Sequence, residues 1–308
     1  MTVEELNEAG RDGTIGELIR VAEARQRKVL SKIADVITAK SGVRLVLVAG
    51  GSAAGKTTTA KRLATQIRVN DRFAMHLSTD DYFVGDDRNP RDETGAFDYE
   101  HVECVDIERL VADVNALCRG ETIRERRFDF ARHLPCETEK TLRLPEGGFI
   151  VLEGIHALNP RLTEGVNEEA KYRVFVEPKP SLDIFLDIRQ TPADARFLRR
   201  MVRDNGFRKI EPARTVELWP KVLAGEKKWI EPFRAYADVT FDSYLAYELA
   251  VLKPYVGGLL ERARRALGET PPIMNALWLL RVVSTVSPNL VPGDSIIRET
   301  IGGSQLEY

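Results

Sequence analysis

Four short segments of the chain are near-continuous apolar runs: VRLVLVAG (43–50), FAMHLS (73–78), FIVLEG (149–154) and YRVFVEP (172–178). Strands buried on both faces read this way, whereas a half-exposed strand alternates. Helical periodicity follows or separates them at about 56–69, 104–118, 192–204 and 245–266. Before the first run, Ile15, Leu18, Ile19, Ala22, Val29, Leu30, Ile33, Val36 and Ile37 recur at helical spacing. They predict one long amphipathic helix over 14–40, with Thr14 as N-cap and Ser41-Gly42 as the stop. Strand, crossover, strand in this order predicts an α/β fold built on a mainly parallel sheet with helices on both faces. The segment IRERRFDFARHLPCETEKTLRL (123–144) alternates instead, and predicts a small antiparallel excursion. Residues 84–99 are polar and too long for an ordinary connection, which marks them as a candidate functional loop.

The first run opens into GGSAAGKTT. Gly50, Gly55, Lys56 and Thr57 satisfy GxxxxGK(S/T) directly after a strand and at the start of a helix. Such a loop wraps phosphates in main-chain N–H groups, and the helix N-terminus adds its partial positive charge. The candidate nucleotide cradle is therefore Gly50, Gly51, Ser52, Ala53, Ala54, Gly55, Lys56, Thr57 and Thr58. Lys56 would reach the β- and γ-phosphates, and the Thr57 hydroxyl would ligate Mg²⁺.

Carboxylates at the ends of two other runs extend the chemistry. HLSTDDYF carries Asp80 and Asp81 beyond the second run, and FIVLEG stops on Glu153. Carboxyl ends of parallel strands face the ligand crevice, so one of the aspartates could take a proton from a substrate hydroxyl while Glu153 orients Mg²⁺. Further on, TPADARFLRRMVRD starts a helix at Thr191-Pro192 and places Arg196, Arg199 or Arg200, and Arg203 on one face. A lid bearing guanidinium groups against a moving phosphoryl group is one reading, and a solvated ion-pair helix is the other. The four histidines show no metal-ligand spacing. DETG at 92–95 does not end a buried run and no NKxD occurs, which weakens a GTPase reading.

Composition adds exclusions. With 45 basic and 47 acidic side chains in 308 residues, the net charge of −2 gives no global field toward nucleic acid or anionic lipid, so neither is an expected partner. Three widely spaced cysteines form neither a disulfide framework nor a zinc knuckle, and the N-terminus does not read as a secretory signal. A cytoplasmic protein is expected.

Taken together, AGGSAAGKTT, LSTDDYF, RDETGAFDYEHVECVD, VLEGIHALNP, RFLRRMVRD, YELAVLKPY and SIIRETIGGS resemble the uridine kinase and phosphoribulokinase family of P-loop kinases. The likeness runs over roughly residues 20–308. It is strongest to bacterial uridine kinase-like proteins, whose frequent extra N-terminal domain, related to part of threonyl-tRNA synthetase, is not seen here. The resemblance implies a P-loop NTPase-type three-layer fold with an antiparallel substrate-binding excursion and an arginine-bearing lid at about 191–210. It implies transfer from ATP, with Mg²⁺, to the 5′-hydroxyl of a ribonucleoside, uridine or cytidine. Asp80 matches the catalytic base, Arg196 and Arg199 the lid arginines, Glu153 the metal-associated acid and Asp98 the acid that holds ribose hydroxyls. FDFARH matches the pyrimidine-contacting segment, with Phe128 where better-known uridine kinases have tyrosine, and His133 in place of the family histidine. Arg203 joins the substrate-binding set, and Arg214 falls near a base-reading glutamine. The alternatives are a sugar-phosphate or polyol kinase and an inactive nucleotide-binding module. The division expected is a helical extension (1–42), a kinase domain (43–270), and a C-terminal helix and tail (271–308). That tail would serve either core packing or a homo-oligomer contact.

Overall fold

The apolar runs form the centre of the molecule because each strand must bury two faces at once. The computed structural model describes residues 1–129, 132–184 and 190–307. In chain order the elements are α1 (Val3–Asp12), α2 (Ile15–Ala39), β1 (Leu45–Ala49), α3 (Lys56–Val69), β2 (Ala74–Ser78), α4 (Ile107–Cys118), β3 (Thr122–Asp129), β4 (Leu134–Arg143), β5 (Phe149–Glu153) and β6 (Lys171–Glu177). There follow α5 (Pro192–Phe207), α6 (Pro212–Trp229), α7 (Glu231–Arg234), β7 (Val239–Asp242), α8 (Glu248–Leu267), α9 (Pro271–Val282) and α10 (Arg298–Ile301). Among the described residues the main sheet is five-stranded and parallel, ordered β2-β5-β1-β6-β7. The excursion is an antiparallel hairpin, β3-β4.

Alternation across the strands divides the core. Val46, Val48, Val151, Val174, Val176 and Phe241 face α2 and α3. Leu45, Leu47, Ile150, Leu152 and Phe175 face the layer that contains α4. A third apolar cluster joins α1, α5, α6, α8 and α9 into a helical lobe around Phe197, Met201, Trp219 and Leu252. Among the described residues no helix is long and apolar enough to cross a membrane.

The structure departs from the sequence reading in four places. The N-terminal helix is two helices. Thr2 caps α1 through a capping box with Glu5, while the Thr14 hydroxyl donates to Asp12 instead of capping α2. On α2, Val29 and Val36 are exposed, and the buried face carries Glu23 and Gln26. These two meet Tyr247 and Arg62, so a polar seam takes the place of part of the expected apolar stripe. The fifth strand, β7, is only four residues long, too short for its pattern to stand out. Helix α6 holds Pro212 at its first turn and Pro220 inside, and these breakers hide it in the sequence.

Candidate active site

The parallel sheet delivers three strand ends to one crevice. β1 opens into the glycine-rich loop, and β5 ends at Glu153, which lies in register with Ser78 at the end of β2 and Val48 on β1. Gly55, at φ +89°, occupies the left-handed region that glycine tolerates, and α3 begins at the next residue. Ala53 takes φ +59° despite its Cβ, a local strain of about 1–3 kcal/mol of the kind loops at functional sites hold. Lys56 Nζ donates to the Gly51 carbonyl at 3.2 Å, so the lysine folds back over its own loop. Burial pulls its pKa down, opposed by the charges of Glu153 and Asp80.

Glu153 gathers the hydroxyls of the crevice. Ser78 Oγ donates to its Oε1 at 2.7 Å and Thr57 Oγ1 donates to the same oxygen at 3.2 Å. Thr57, Ser78 and Glu153 thus form an all-oxygen set suited to a hard divalent cation. Burial, with the Asp80 charge adding to it, pushes the Glu153 pKa up to about 7. His76 Nε2 lies 3.9 Å away, but burial holds its pKa down to about 3, so it faces Glu153 as a neutral ring. A folded-state pKa of about 7 against an ordinary 4.5 means that the native protein binds this proton more tightly than the unfolded chain does. The associated stability is complete below the ordinary value and is lost as pH rises through the folded one. Glu153→Gln, which removes the buried charge, is therefore expected to melt roughly 3–6 °C above the wild type at pH 8 without divalent metal. The gap should close at pH 5, as read by calorimetry.

The two aspartates part company in a 3-10 turn over Thr79–Tyr82. Asp80 donates its main-chain N–H to Ser78 Oγ, and its charge acts on both Lys56 and Glu153. Asp81 faces the hairpin, 3.8 Å from Arg127, and burial raises its pKa to about 6. Of the two, Asp80 stands beside the glycine-rich loop.

The arginines of α5 converge on that loop from the other side, and they are packed in rather than solvated. Arg196 donates to the Ser52 carbonyl at 3.3 Å, pairs with Glu226 at 2.7 Å and stacks over Trp219. Arg200 donates to Ser52 Oγ at 2.8 Å, and Arg203 Nη2 reaches the same oxygen at 3.5 Å while its buried Nε has no partner. Arg200, Arg203 and Arg208 share one carboxylate, Asp204. Repulsion from Arg203 brings the Arg208 pKa down to about 10, and a bound anion would relieve that crowding. Arg199 is different. It is 1% exposed, closes a two-point pair with Glu248 (3.2 and 2.6 Å), donates to the Ser243 carbonyl at 2.9 Å, and braces the Ala54 carbonyl at 3.3 Å. Sequence likeness named Arg196 and Arg199 as lid arginines; in the structure Arg196, Arg200 and Arg203 meet the glycine-rich loop at Ser52. Arg199 is a buried strut beneath the loop.

The remaining nominated residues lie around the hairpin and the long loop. Phe128 packs edge-on against Phe83. His133 takes φ +54° at the hairpin turn, half-exposed, with Nδ1 3.4 Å from Asp86; residues 130 and 131 of the FDFARH segment lie outside the described residues. Asp98 Oδ1 accepts the main-chain N–H of Glu100 at 3.2 Å, and its carbonyl accepts from His101. Arg214 is exposed on α6 and pairs with Glu217. Thr58 Oγ1 donates to Glu299 at 2.9 Å, and Ile296 occupies the space beside Gly55, so the SIIRETIGGS segment is seated on the glycine-rich loop. Sequence reasoning missed Arg200 as a named site residue, Arg208, Glu100 and Glu299. The i, i+4 series Arg196, Arg200, Asp204, Arg208 was the available signal for the first two.

Known proteins resemble this chain at the level of the family. A "Uridine kinase" from Chloroflexus aurantiacus is 31% identical over 206 residues, covering 64% of this chain and 85% of that protein. One from Lactobacillus helveticus is 28% identical over 200 residues, covering 63% and 84%. A solved structure reported as "Possible Uridine Kinase" from Bacillus stearothermophilus aligns with TM-score 0.47 and 20% identity, over 71% of this chain and all of that one (100%). The model of the phosphoribulokinase/uridine kinase family matches residues 45–249, from the first residue of β1 into α8, and the chain belongs to that family of kinases.

Proposed function

We propose that the protein transfers the γ-phosphoryl group of ATP, taken as its Mg²⁺ complex, to the 5′-hydroxyl of a ribonucleoside, uridine or cytidine. The observation that carries this reading is Asp80, whose main-chain N–H donates to Ser78 Oγ, itself bonded to Glu153, and whose charge acts on both Lys56 and Glu153. The cradle from Gly50 to Thr58 would hold the polyphosphate. The crowded guanidiniums and the buried Arg203 Nε fit an anion placed before Ser52. Thr57 and Glu153, with Ser78 behind them, would hold Mg²⁺, which when bound neutralises phosphate charge.

The chain's own residues then do three things. Lys56 exchanges the Gly51 carbonyl for a phosphate oxygen. Arg196, Arg200 and Arg203 offset charge on the transferring group. Asp80 accepts the proton of the attacking hydroxyl as the new P–O bond forms and the bond to the ADP leaving group breaks.

Charge favours a neutral acceptor. Asp80 and Asp81 repel each other, as do Asp98 and Glu100, and a sugar phosphate would bring a further negative group into their company. The reading is tested by incubating the protein with MgATP and a panel of nucleosides, neutral sugars and sugar phosphates, with products identified by mass spectrometry. Uridine or cytidine 5′-monophosphate is the expected product. Turnover of a sugar phosphate alone would replace this reading with a phosphoribulokinase-like one.

A further inference from the structure

The residue after next from Asp98 is the less expected one. Asp98 spends Oδ1 on the main-chain N–H of Glu100, while Pro90 and Cys104 fasten the main chain of Asp98 itself. That turn directs the Glu100 side chain inward. There its Oε2 is sealed from solvent and has no hydrogen-bond partner. The carboxyl is attracted by Arg200 and Lys56 and repelled by Glu226 and Asp98, and burial raises its pKa to about 6. Helix α6 brings it near the glycine-rich loop, since Gly225 lies against Glu100 and the next residue, Glu226, lies against Gly51.

Two neighbours fix it. Helix α6 has Gly225 where any Cβ would come within 2.4 Å of Glu100 Cβ, so only a glycine lets the loop approach. His156, 1% exposed, sets its ring against the main chain of Glu100 and Trp229, with burial holding its pKa down to about 4. Neither of its nitrogens closes a hydrogen bond of ordinary geometry. Trp229 Nε1 is likewise buried and unpaired, and its ring meets His101 at 4.2 Å. Unpaired buried polar atoms cost about 1–3 kcal/mol each, so their gathering beside Lys56 calls for a ligand that completes them.

We propose that Glu100 is a specificity-determining residue of the acceptor site, accepting a hydrogen bond from a hydroxyl of a neutral polyhydroxylated acceptor and disfavouring anionic ones. This rests on the kinase reading above, and it assigns to Glu100 a contact that sequence likeness gave to Asp98. His156 and Gly225 are positioning residues for it.

The test compares wild type with Glu100→Gln and Glu100→Asp in steady-state kinetics, varying MgATP and acceptor separately across the panel of nucleosides, their deoxy analogues, neutral sugars and sugar phosphates. Glu100→Gln is expected to raise the acceptor KM at least tenfold, with kcat and the MgATP KM within threefold. It should also narrow the preference for hydroxyl-bearing over deoxy acceptors, and Glu100→Asp should recover part of that preference. If a neutral sugar proves to be the substrate and its KM rises in the same way, the Glu100 assignment stands and the nucleoside reading falls. An unchanged acceptor KM, an effect confined to the MgATP KM, or a wild type that accepts only sugar phosphates overturns it.

Discussion

Asp80→Asn is expected to lower kcat by about 10²–10⁴-fold while leaving the dissociation constant of MgATP within a few-fold of wild type. Asn keeps the shape of the side chain and removes its ability to take a proton. The change also deletes a negative charge that acts on both Lys56 and Glu153. Nucleotide affinity should consequently hold or tighten slightly, because one repulsive charge beside the phosphates is gone. Single-turnover phosphoryl transfer and nucleotide titration measure the two quantities separately. An Asn variant with near-normal turnover would remove Asp80 from the role of base, and Asp81, already poised near the hairpin with a raised pKa, would be the next group to test.

Arg199→Ala is expected to produce the largest loss of stability. Arg199 and Glu248 are both almost completely buried and neutralise each other through two contacts. Removing the guanidinium strands Glu248 in the interior and releases the carbonyls of Ser243 and Ala54, at a cost of about 3–5 kcal/mol. For a chain of this size that lowers the melting temperature by about 10 °C, which differential scanning calorimetry would show. Replacing both partners, as Arg199→Met with Glu248→Leu, should recover most of the melting temperature. It should not recover full turnover, because the strut under the Ala54 carbonyl stays absent. Arg203→Ala provides the contrast, with a melting temperature close to wild type and a reduced kcat/KM. If the two arginines behaved alike, the division between a buried strut and groups that meet Ser52 would be wrong.

These contrasts mark what the sequence could convey. A glycine-rich turn between an apolar run and a helix is a local pattern, and so is an acid that ends a buried run; in the fold the two meet through Thr57 and Glu153. The parallel sheet was legible for the same reason, since burial on both faces writes itself into consecutive residues. What stayed hidden depends on partners far along the chain. Nothing near Arg199 announces that Glu248 will bury it, whereas Arg200, its neighbour, turns toward Ser52. The inward aim of Glu100 depends on a glycine on α6, a helix whose two prolines conceal it from periodicity. Glu23 and Gln26 look like solvent-facing positions until Tyr247 and Arg62 are known to meet them.

The bond from Thr58 to Glu299 spans 241 residues of sequence, and Glu299 lies beyond the segment matched by the family model. During synthesis the glycine-rich loop leaves the ribosome long before the segment that covers it. The nascent kinase core must therefore wait with that flank of its loop uncovered, and a chain interrupted between the two would present the loop to the cell without its finishing wall.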